Sequence, residues 1–312
     1  MEAVLNPALL LFLSGILIGI TFKLTLPNSI SKYLGYYLLL SLGLKGGLSL
    51  QENGFINEVI SVLSLGVIFA LLIPAVAYFY LKNLLNTDDA AALSGTYGSV
   101  SAVTFVTAIA YLSTTSQDFD NYMSAVLVVM EFPAIFMALY LVTHNKNDNN
   151  NNLKTIKTAF LEIPNIILIS SLFVGYFVSK KTLSNLDYLI VTIFDYLLYI
   201  FLFVMGTRVA KRIGELKGRG VSLIAFALLM PLIGSFISLL ASIYFGLSIG
   251  NATLLMVLTA SASYIAVPAV VKDAIPDANP AIYLGLSLGV TFPFNIIVGI
   301  PLYNELAKYF IG

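Results

Sequence analysis

Long apolar runs separated by short polar segments dominate the chain. Ten runs of about 15 to 26 residues approach the ~20 residues that a helix needs to cross a bilayer. We predict membrane-spanning helices at approximately 8–22, 33–50, 58–80, 89–112, 122–143, 159–179, 188–208, 220–245, 251–271 and 282–306. The chain is therefore predicted to be an all-α integral membrane protein.

The polar segment 144–158 divides these spans into two sets of five. We predict a first repeat over 1–143, a cytoplasmic linker over 144–158 and a second repeat over 159–312. Because five is odd, the second repeat would enter the bilayer upside down relative to the first. Inverted repeats of this kind are typical of secondary transporters, whose binding sites lie near the midplane where the repeats meet.

Similar segments recur in the same order in the two halves. Ser101 in GSVSAVTF precedes Ser261 in LTASASYI by 160 positions, and the same offset separates Pro133 in VMEFPAIF from Pro293 in GVTFPFNI. A third pair, YYLLLSLGLKGG at 36–47 and YLLYIFLFVMGTR at 196–208, has nearly the same spacing. The recurrence supports two copies of one five-helix unit.

Composition and charge narrow the class of function. The chain is 59% hydrophobic and 10% charged, whereas soluble domains carry roughly 25% charged residues. Its net charge of zero gives no electrostatic case for nucleic-acid binding. With no cysteine, disulfides and thiolate metal sites are excluded. Placing both termini outside puts 12 of the 16 basic residues in inner loops, as the positive-inside rule requires.

Spans four and nine carry the sequence features of broken helices. Span four contains LSGTYGSVSAVT at 93–104, and span nine contains TASASYIAVP at 259–268, where Pro268 removes a backbone donor. A break directs the amino terminus of a half-helix inward, and its free N–H groups bind anions. Ordinary helix packing also uses Gly, Ser and Thr. The equivalent placement of the two segments favours a site for a small anion.

Glu131 is a carboxylate in the middle of span five. An ionisable residue at this depth is costly and is a functional hypothesis by default. Sodium would supply the missing positive charge, with Ser101 and Thr104 of span four as further oxygen ligands. Thr291, the repeat equivalent of Glu131, could serve a second ion, and Pro133 would loosen the adjacent turn. The alternatives are proton coupling and a protonated, purely structural glutamate.

Other charged residues have simpler interpretations. We predict that Lys45 snorkels to the outer interface and that Arg208 is a positive-inside anchor. Asp88 and Asp89 are predicted to cap span four. Asp195 lies either inside span seven or at its start.

Little in the sequence favours catalysis. His144, the single histidine, begins the linker and cannot build a metal site of the usual kind, and no cofactor or nucleotide motif is present. We therefore expect no enzyme and no cofactor, with sodium as the coupling ion. The GxxxG formed by Gly15 and Gly19 predicts helix packing.

These motifs together resemble the sodium-dependent bicarbonate permeases first recognised in cyanobacteria. The resemblance is carried by LLLSLGLKGGLSL (38–50), GSVSAVT (98–104), MEFPA (130–134), LFVMGTRVAKRIGELK (202–217) and the block over 259–303. In that block AIPDANP follows the serine segment at the distance expected for the family. The resemblance implies ten spans, a gate domain from spans one, two, six and seven, a core domain from the others, elevator-like movement and a homotrimer.

The resemblance also assigns site residues. It implies bicarbonate contacts from Gly98, Ser99, Ser101 and the Ser261–Ala262–Ser263 segment, and a sodium-linked acid at Glu131, where cyanobacterial members have aspartate. Two positions depart from the family pattern. Val103 replaces a serine and removes a hydroxyl, and Tyr264 stands where an aspartate is usual and could close or reshape the pocket.

The resulting expectation is sodium-coupled bicarbonate uptake across the plasma (inner) membrane. The family engages a small PII-like regulator through its central linker, which is shorter here, so such a partner is a further possibility. The nearest rival is sodium-coupled transport of another small anion, such as an organic acid. More distant rivals are an intramembrane enzyme and a non-transporting sensor or scaffold.

Overall fold

The structure, a computed structural model, describes residues 7–24, 26–146, 163–178, 193–215, 220–265, 267–268, 271–272 and 275–312. Helices account for nearly all of these residues, and no strand occurs among them. The helices are α1 (Pro7–Thr21), α2 (Asn28–Asn53), α3 (Asn57–Leu81), α4 (Thr87–Gly98), α5 (Ala102–Thr114), α6 (Met123–Lys146), α7 (Ile163–Phe177), α8 (Ile193–Glu215), α9 (Val221–Phe245), α10 (Ile249–Ala260) and α11 (Pro280–Ile311).

Five of the described segments are long and apolar enough to cross a membrane. They are α3, α4 taken together with α5, residues Ile193–Arg212 of α8, α9 and α11. Three shorter apolar helices, α1, α7 and α10, accompany them. The predicted all-α membrane class therefore agrees with the structure.

Local sequence explains where several helices begin and end. Pro27 precedes α2, and Gly54 ends it with a φ of 66°, a left-handed conformation that favours glycine. The side chain of Asn86 caps α4 by accepting the Asp89 N–H, and the Ser248 hydroxyl caps α10 by accepting the Asn251 N–H.

Several predicted boundaries need correction. Helix α2 starts at Asn28, before residue 33, and α11 runs to Ile311, because both helices continue into polar residues beyond the apolar runs. Helix α6 continues past residue 143 to Lys146, so His144 belongs to the helix, while the predicted linker beyond residue 146 lies outside the described residues. Pro133 does not interrupt α6, because prolines are tolerated in membrane helices whose neighbours pack around them.

Glycines allow two pairs of helices to pack backbone to backbone. A Cβ on Gly15 would lie 2.2 Å from the Phe203 carbonyl oxygen of α8, and one on Gly19 would lie 2.7 Å from the Ala210 Cβ. Gly47 of α2 has the same relation to the Leu172 carbonyl oxygen of α7, at 2.0 Å. The predicted packing role of the GxxxG motif is confirmed.

The two halves match in helix length. Helices α4 and α10 each have 12 residues and begin 162 positions apart, at Thr87 and Ile249. Helices α3 and α9 each have 25 residues. Contacts between the halves are reciprocal: Asp89 Oδ1 accepts the Asn279 N–H at 2.6 Å, and Asn251 Oδ1 accepts the Asp120 N–H at 2.9 Å.

Charged residues outside the candidate site contact partners that could not be predicted from the sequence. Lys45 places its ammonium 4.6 Å from the centroid of the Phe194 ring on α8, where Asp195 lies in the first helical turn. Arg208 donates to the Asn28 side-chain oxygen at 2.8 Å. Asp89 is not the cap of α4, because Asn86 holds that position and the Asp89 carboxylate binds the other half.

Candidate functional site

Two helix interruptions form the centre of the candidate site. Helix α4 ends at Gly98, and Ser99 has the extended angles φ −87° and ψ 173°. Helix α10 ends at Ala260, and Ser261 has φ −86° and ψ 164°. The interruptions predicted in spans four and nine are therefore present. Pro268 lies after the second interruption and not at it, because the helix already ends at the serine segment.

The interruptions are hydrogen-bonded to each other across the two halves. The Ser101 N–H donates to the Ser261 hydroxyl at 3.0 Å, and the Ser263 N–H donates to the Thr96 carbonyl oxygen at 2.7 Å. The Ser261 hydroxyl in turn donates to the Leu258 carbonyl oxygen at 2.9 Å. Non-helical backbone at this depth requires partners of this kind.

Ser101 also organises the start of α5. Its hydroxyl oxygen accepts the Thr104 N–H at 3.2 Å and the Thr104 hydroxyl at 2.9 Å, so Ser101 is the N-cap of the helix. The amino terminus of α5 therefore lies inside the protein, next to the interruption of α4. Its partial positive charge is the electrostatic feature that a small anion needs.

Glu131 of α6 faces the interruption of α4. The Ser99 hydroxyl donates to Glu131 Oε2 at 3.0 Å, and Glu131 is only 6% exposed. The hydrogen bond joins the end of α4 to the middle of α6 and fixes one carboxylate oxygen beside the serine segment. A hard cation would find carboxylate and hydroxyl oxygens together there.

A small cavity lies between these elements. Its volume is about 50 Å³, well above the roughly 10–15 Å³ that a cavity needs to hold one water molecule. Glu131, Ser101 and Ser263 line it, together with Asn165 and Tyr264. The rest of the lining is mostly apolar and comes from α2, α5, α6 and α7. The cavity is large enough to hold a small ion in contact with the side chains that line it.

The predicted anion contacts fall into two groups. Ser101 and Ser263 line the cavity directly. Ser99 and Ser261 adjoin it through the hydrogen bonds to Glu131 and Ser101, and Ala262 is buried beside them without lining it. Gly98 lets the chain approach α3, because a Cβ there would lie 2.4 Å from the Pro74 ring.

The predicted cation ligands are not all adjacent. Glu131 and Ser101 share the small cavity, and Thr104 is one hydrogen bond away. Thr291 lies elsewhere: its hydroxyl pairs with the Tyr97 hydroxyl at 2.5 Å and donates to the Ala227 carbonyl oxygen at 2.7 Å. The structure therefore brings three of the four predicted ligands together.

Asn165 is a candidate site residue that the sequence analysis missed. It lies in the first turn of α7, is 4% exposed and lines the small cavity opposite Ser101 and Glu131. An amide in the otherwise apolar stretch IPNIILI was the available signal. Without knowing that α7 packs on α2 beside the interruption, we could not connect it to the site.

Comparison with known families decides the class of protein. Residues 7–308 match the family described as the Na⁺-dependent bicarbonate transporter superfamily. The chain belongs to this superfamily. No curated protein matched the chain.

Membership of the superfamily agrees with the apolar helices and the buried polar cavity. The protein is a multi-pass membrane protein from a superfamily of transporters. The resemblance inferred from the sequence motifs is confirmed.

Proposed function

We propose that the protein is a secondary active transporter that couples sodium to bicarbonate uptake. The observation that supports this most strongly is the shared cavity of Glu131, Ser101 and Ser263 where two helix interruptions meet. Carboxylate oxygens suit sodium, while hydroxyls and the amino terminus of α5 suit a small oxyanion. Membership of a Na⁺-dependent bicarbonate transporter superfamily supports sodium and bicarbonate as the two transported ions.

In this proposal sodium binds next to Glu131. Ser101, which lines the small cavity with Glu131, and Thr104, whose hydroxyl donates to Ser101, would contribute oxygens. Thr291 remains a proposed ligand of a second sodium. Because its hydroxyl already has two partners, binding there would require it to give up the Tyr97 or Ala227 contact.

Bicarbonate would bind at the interruptions themselves. Its proposed contacts are Gly98, Ser99, Ser101 and the segment from Ser261 through Ala262 to Ser263. The anion would accept hydrogen bonds from serine hydroxyls and from N–H groups at the start of α5. A cation at Glu131 would offset its charge, so each ion would raise the affinity for the other.

The energetics depend on stoichiometry. One sodium per bicarbonate makes the transported pair electroneutral, and a tenfold sodium gradient then supplies about 1.4 kcal/mol. A second sodium would add about 2.3 kcal/mol per 100 mV of membrane potential. No cofactor is needed, because the sodium gradient drives the cycle.

We further propose ten spans in two inverted repeats. The equal lengths of α4 and α10 support this, as do the reciprocal Asp89–Asn279 and Asn251–Asp120 contacts. The close pairing of α1 with α8 and of α2 with α7 fits a gate domain built from spans one, two, six and seven. The remaining helices would form a core that moves in an elevator-like way.

The proposed setting is the plasma (inner) membrane, with both termini on the outer side. Lys32, Lys82 and Arg212 would then face the cytoplasm, as the positive-inside rule favours. We also propose a homotrimer and a PII-like regulatory partner. Only the family resemblance supports these two proposals.

Uptake of radiolabelled bicarbonate into proteoliposomes tests the proposed function. We expect uptake to require an inward sodium gradient and to collapse when sodium is replaced by potassium or choline. Bicarbonate uptake of equal rate without sodium would contradict the coupling. The absence of flux for any small anion would favour a non-transporting sensor.

The second candidate is sodium-coupled transport of a small organic acid. The lining of the small cavity is mostly apolar and includes Val103, where the family pattern has a hydroxyl. This lining favours an organic acid as the substrate. An apolar wall would accept the methyl group of acetate better than a third oxygen. Competition by unlabelled acetate against labelled bicarbonate, and the reverse experiment, would separate the two substrates.

A further inference from the structure

A second, larger cavity opens beside the small one. Its volume is about 470 Å³, and it lies between α2, α8 and the segment that follows α10. The two cavities share Leu39, Pro164, Tyr264 and Ile265 in their walls. The Tyr264 ring packs edge-on against Phe292, with centroids 5.3 Å apart, and stands between the two spaces.

The lining of the larger cavity is basic. Lys32 of α2 and Arg208 and Arg212 of α8 line it, and no acidic side chain does so among the described residues. Arg208 and Arg212 are four residues apart on one helix, where like charges destabilise a helix. Such a concentration of positive charge attracts anions.

One polar atom at this cavity, Nε of Arg208, is buried without a hydrogen-bond partner. The other hydrogen bonds of Arg208 go to the carbonyl and side-chain oxygens of Asn28, which carry no charge to balance the guanidinium. An unsatisfied buried donor costs about 1–3 kcal/mol, so its presence in a basic cavity points to a ligand.

We propose that the larger cavity is a second anion site, which binds a phosphate group. The Arg208 guanidinium offers donors in a fork that matches phosphate oxygens, and Lys32 adds a second positive charge. The phosphate group belongs either to free inorganic phosphate or to an anionic lipid headgroup, since basic pockets between membrane helices bind such headgroups and a guanidinium binds phosphate oxygens from either source.

Occupation of this site would regulate transport. Because Tyr264 borders both cavities, a phosphate group held by Arg208 and Lys32 would obstruct movement between the small cavity and the basic one. This regulatory consequence rests on the proposed transport function, whereas the binding site itself does not.

Calorimetric titration of inorganic phosphate into the purified full chain in phosphatidylcholine nanodiscs tests the site. We expect saturable binding that Lys32→Gln and Arg208→Lys each weaken by about tenfold, the cost of one charge-assisted hydrogen bond. Lys211→Gln is the matched control, because Lys211 is exposed on the same helix and does not line the cavity.

Nanodiscs that contain phosphatidylglycerol separate the two sources of phosphate. If the lipid competes with inorganic phosphate, the headgroup is the ligand; if phosphate binding is unchanged, free phosphate is the ligand. The absence of saturable binding, or equal weakening by Lys211→Gln and Lys32→Gln, would overturn the proposal. The titration measures phosphate binding and not transport. Its result can therefore be interpreted even if the protein does not take up bicarbonate.

Discussion

The Ser99 hydroxyl donates a hydrogen bond to Glu131 at 3.0 Å, across 32 positions of sequence. The contact places the only acidic side chain of the small cavity's described lining at the interruption of α4. A carboxylate at this depth is expensive to retain unless it binds a cation or a proton. The hydrogen bond therefore connects the proposed cation site to the proposed anion site.

Glu131→Gln should abolish sodium-dependent bicarbonate uptake. Glutamine retains the size of the side chain and an oxygen for the Ser99 hydroxyl, so folded protein should still reach the membrane. Uptake in proteoliposomes with and without sodium is the measurement. Glu305→Gln is the matched control, because Glu305 is exposed and pairs only with Lys308 at 2.9 Å. Unchanged sodium dependence in the Glu131 variant would remove this residue from the site.

Ser101→Ala should impair both stability and transport. It removes the N-cap of α5, at a cost of about 1 kcal/mol, together with a hydroxyl that lines the small cavity. We expect a lower melting temperature and a higher KM for bicarbonate. Ser113→Ala on the same helix is the control, because its exposed hydroxyl only donates to the Ile109 carbonyl oxygen. A normal KM for Ser101→Ala would argue against a substrate contact.

Gly98→Ala should destabilise the protein. The new methyl group would lie 2.4 Å from the Pro74 ring, so α3 or α4 must shift, at a cost of about 1–3 kcal/mol. Thermal unfolding in detergent measures the effect. Gly220→Ala provides the comparison, because nothing lies within 4 Å of a Cβ at that position. Equal melting temperatures for the two variants would show that α4 does not approach α3 this closely.

Asp89→Ala and Asn251→Ala should each loosen the contact between the halves. Each change leaves a backbone N–H of the other half, at Asn279 or Asp120, without its acceptor. The expected loss is about 1–3 kcal/mol for each variant. Asn83→Ala, at an exposed position, should change stability little. Thermal unfolding measures the stability of all three variants. Melting temperatures equal to the wild type for Asp89→Ala and Asn251→Ala would contradict the prediction.

Much of the architecture could be predicted from the sequence, because it depends on local patterns of residues. Apolar runs indicated helices, and Gly, Ser and Thr in span four indicated its interruption. Glu131 was recognisable because a lone carboxylate in an apolar helix is costly. These features need no knowledge of which helices are neighbours.

Other features depend on tertiary packing and could not be read in advance. Helix α11 contains two π-helical segments, Ser287–Thr291 and Asn295–Gly299, around Pro293. They turn Thr291 toward Tyr97 and let the Asn295 amide donate to the Ala260 carbonyl oxygen at 2.8 Å. The sequence equivalence of Thr291 and Glu131 therefore did not predict a shared cavity. Asn165 was missed for the same reason, since only the packing of α7 brings it to the site.

The reciprocal hydrogen bonds from Ser101 to Ser261 and from Ser263 to Thr96 have a mechanical consequence. Sliding one interrupted segment past the other by a single residue would leave both amides unpaired in a water-poor interior, at about 1–3 kcal/mol each. We therefore expect the two segments to move together and to carry any bound ion with them, so that the ion is not passed from one segment to the other.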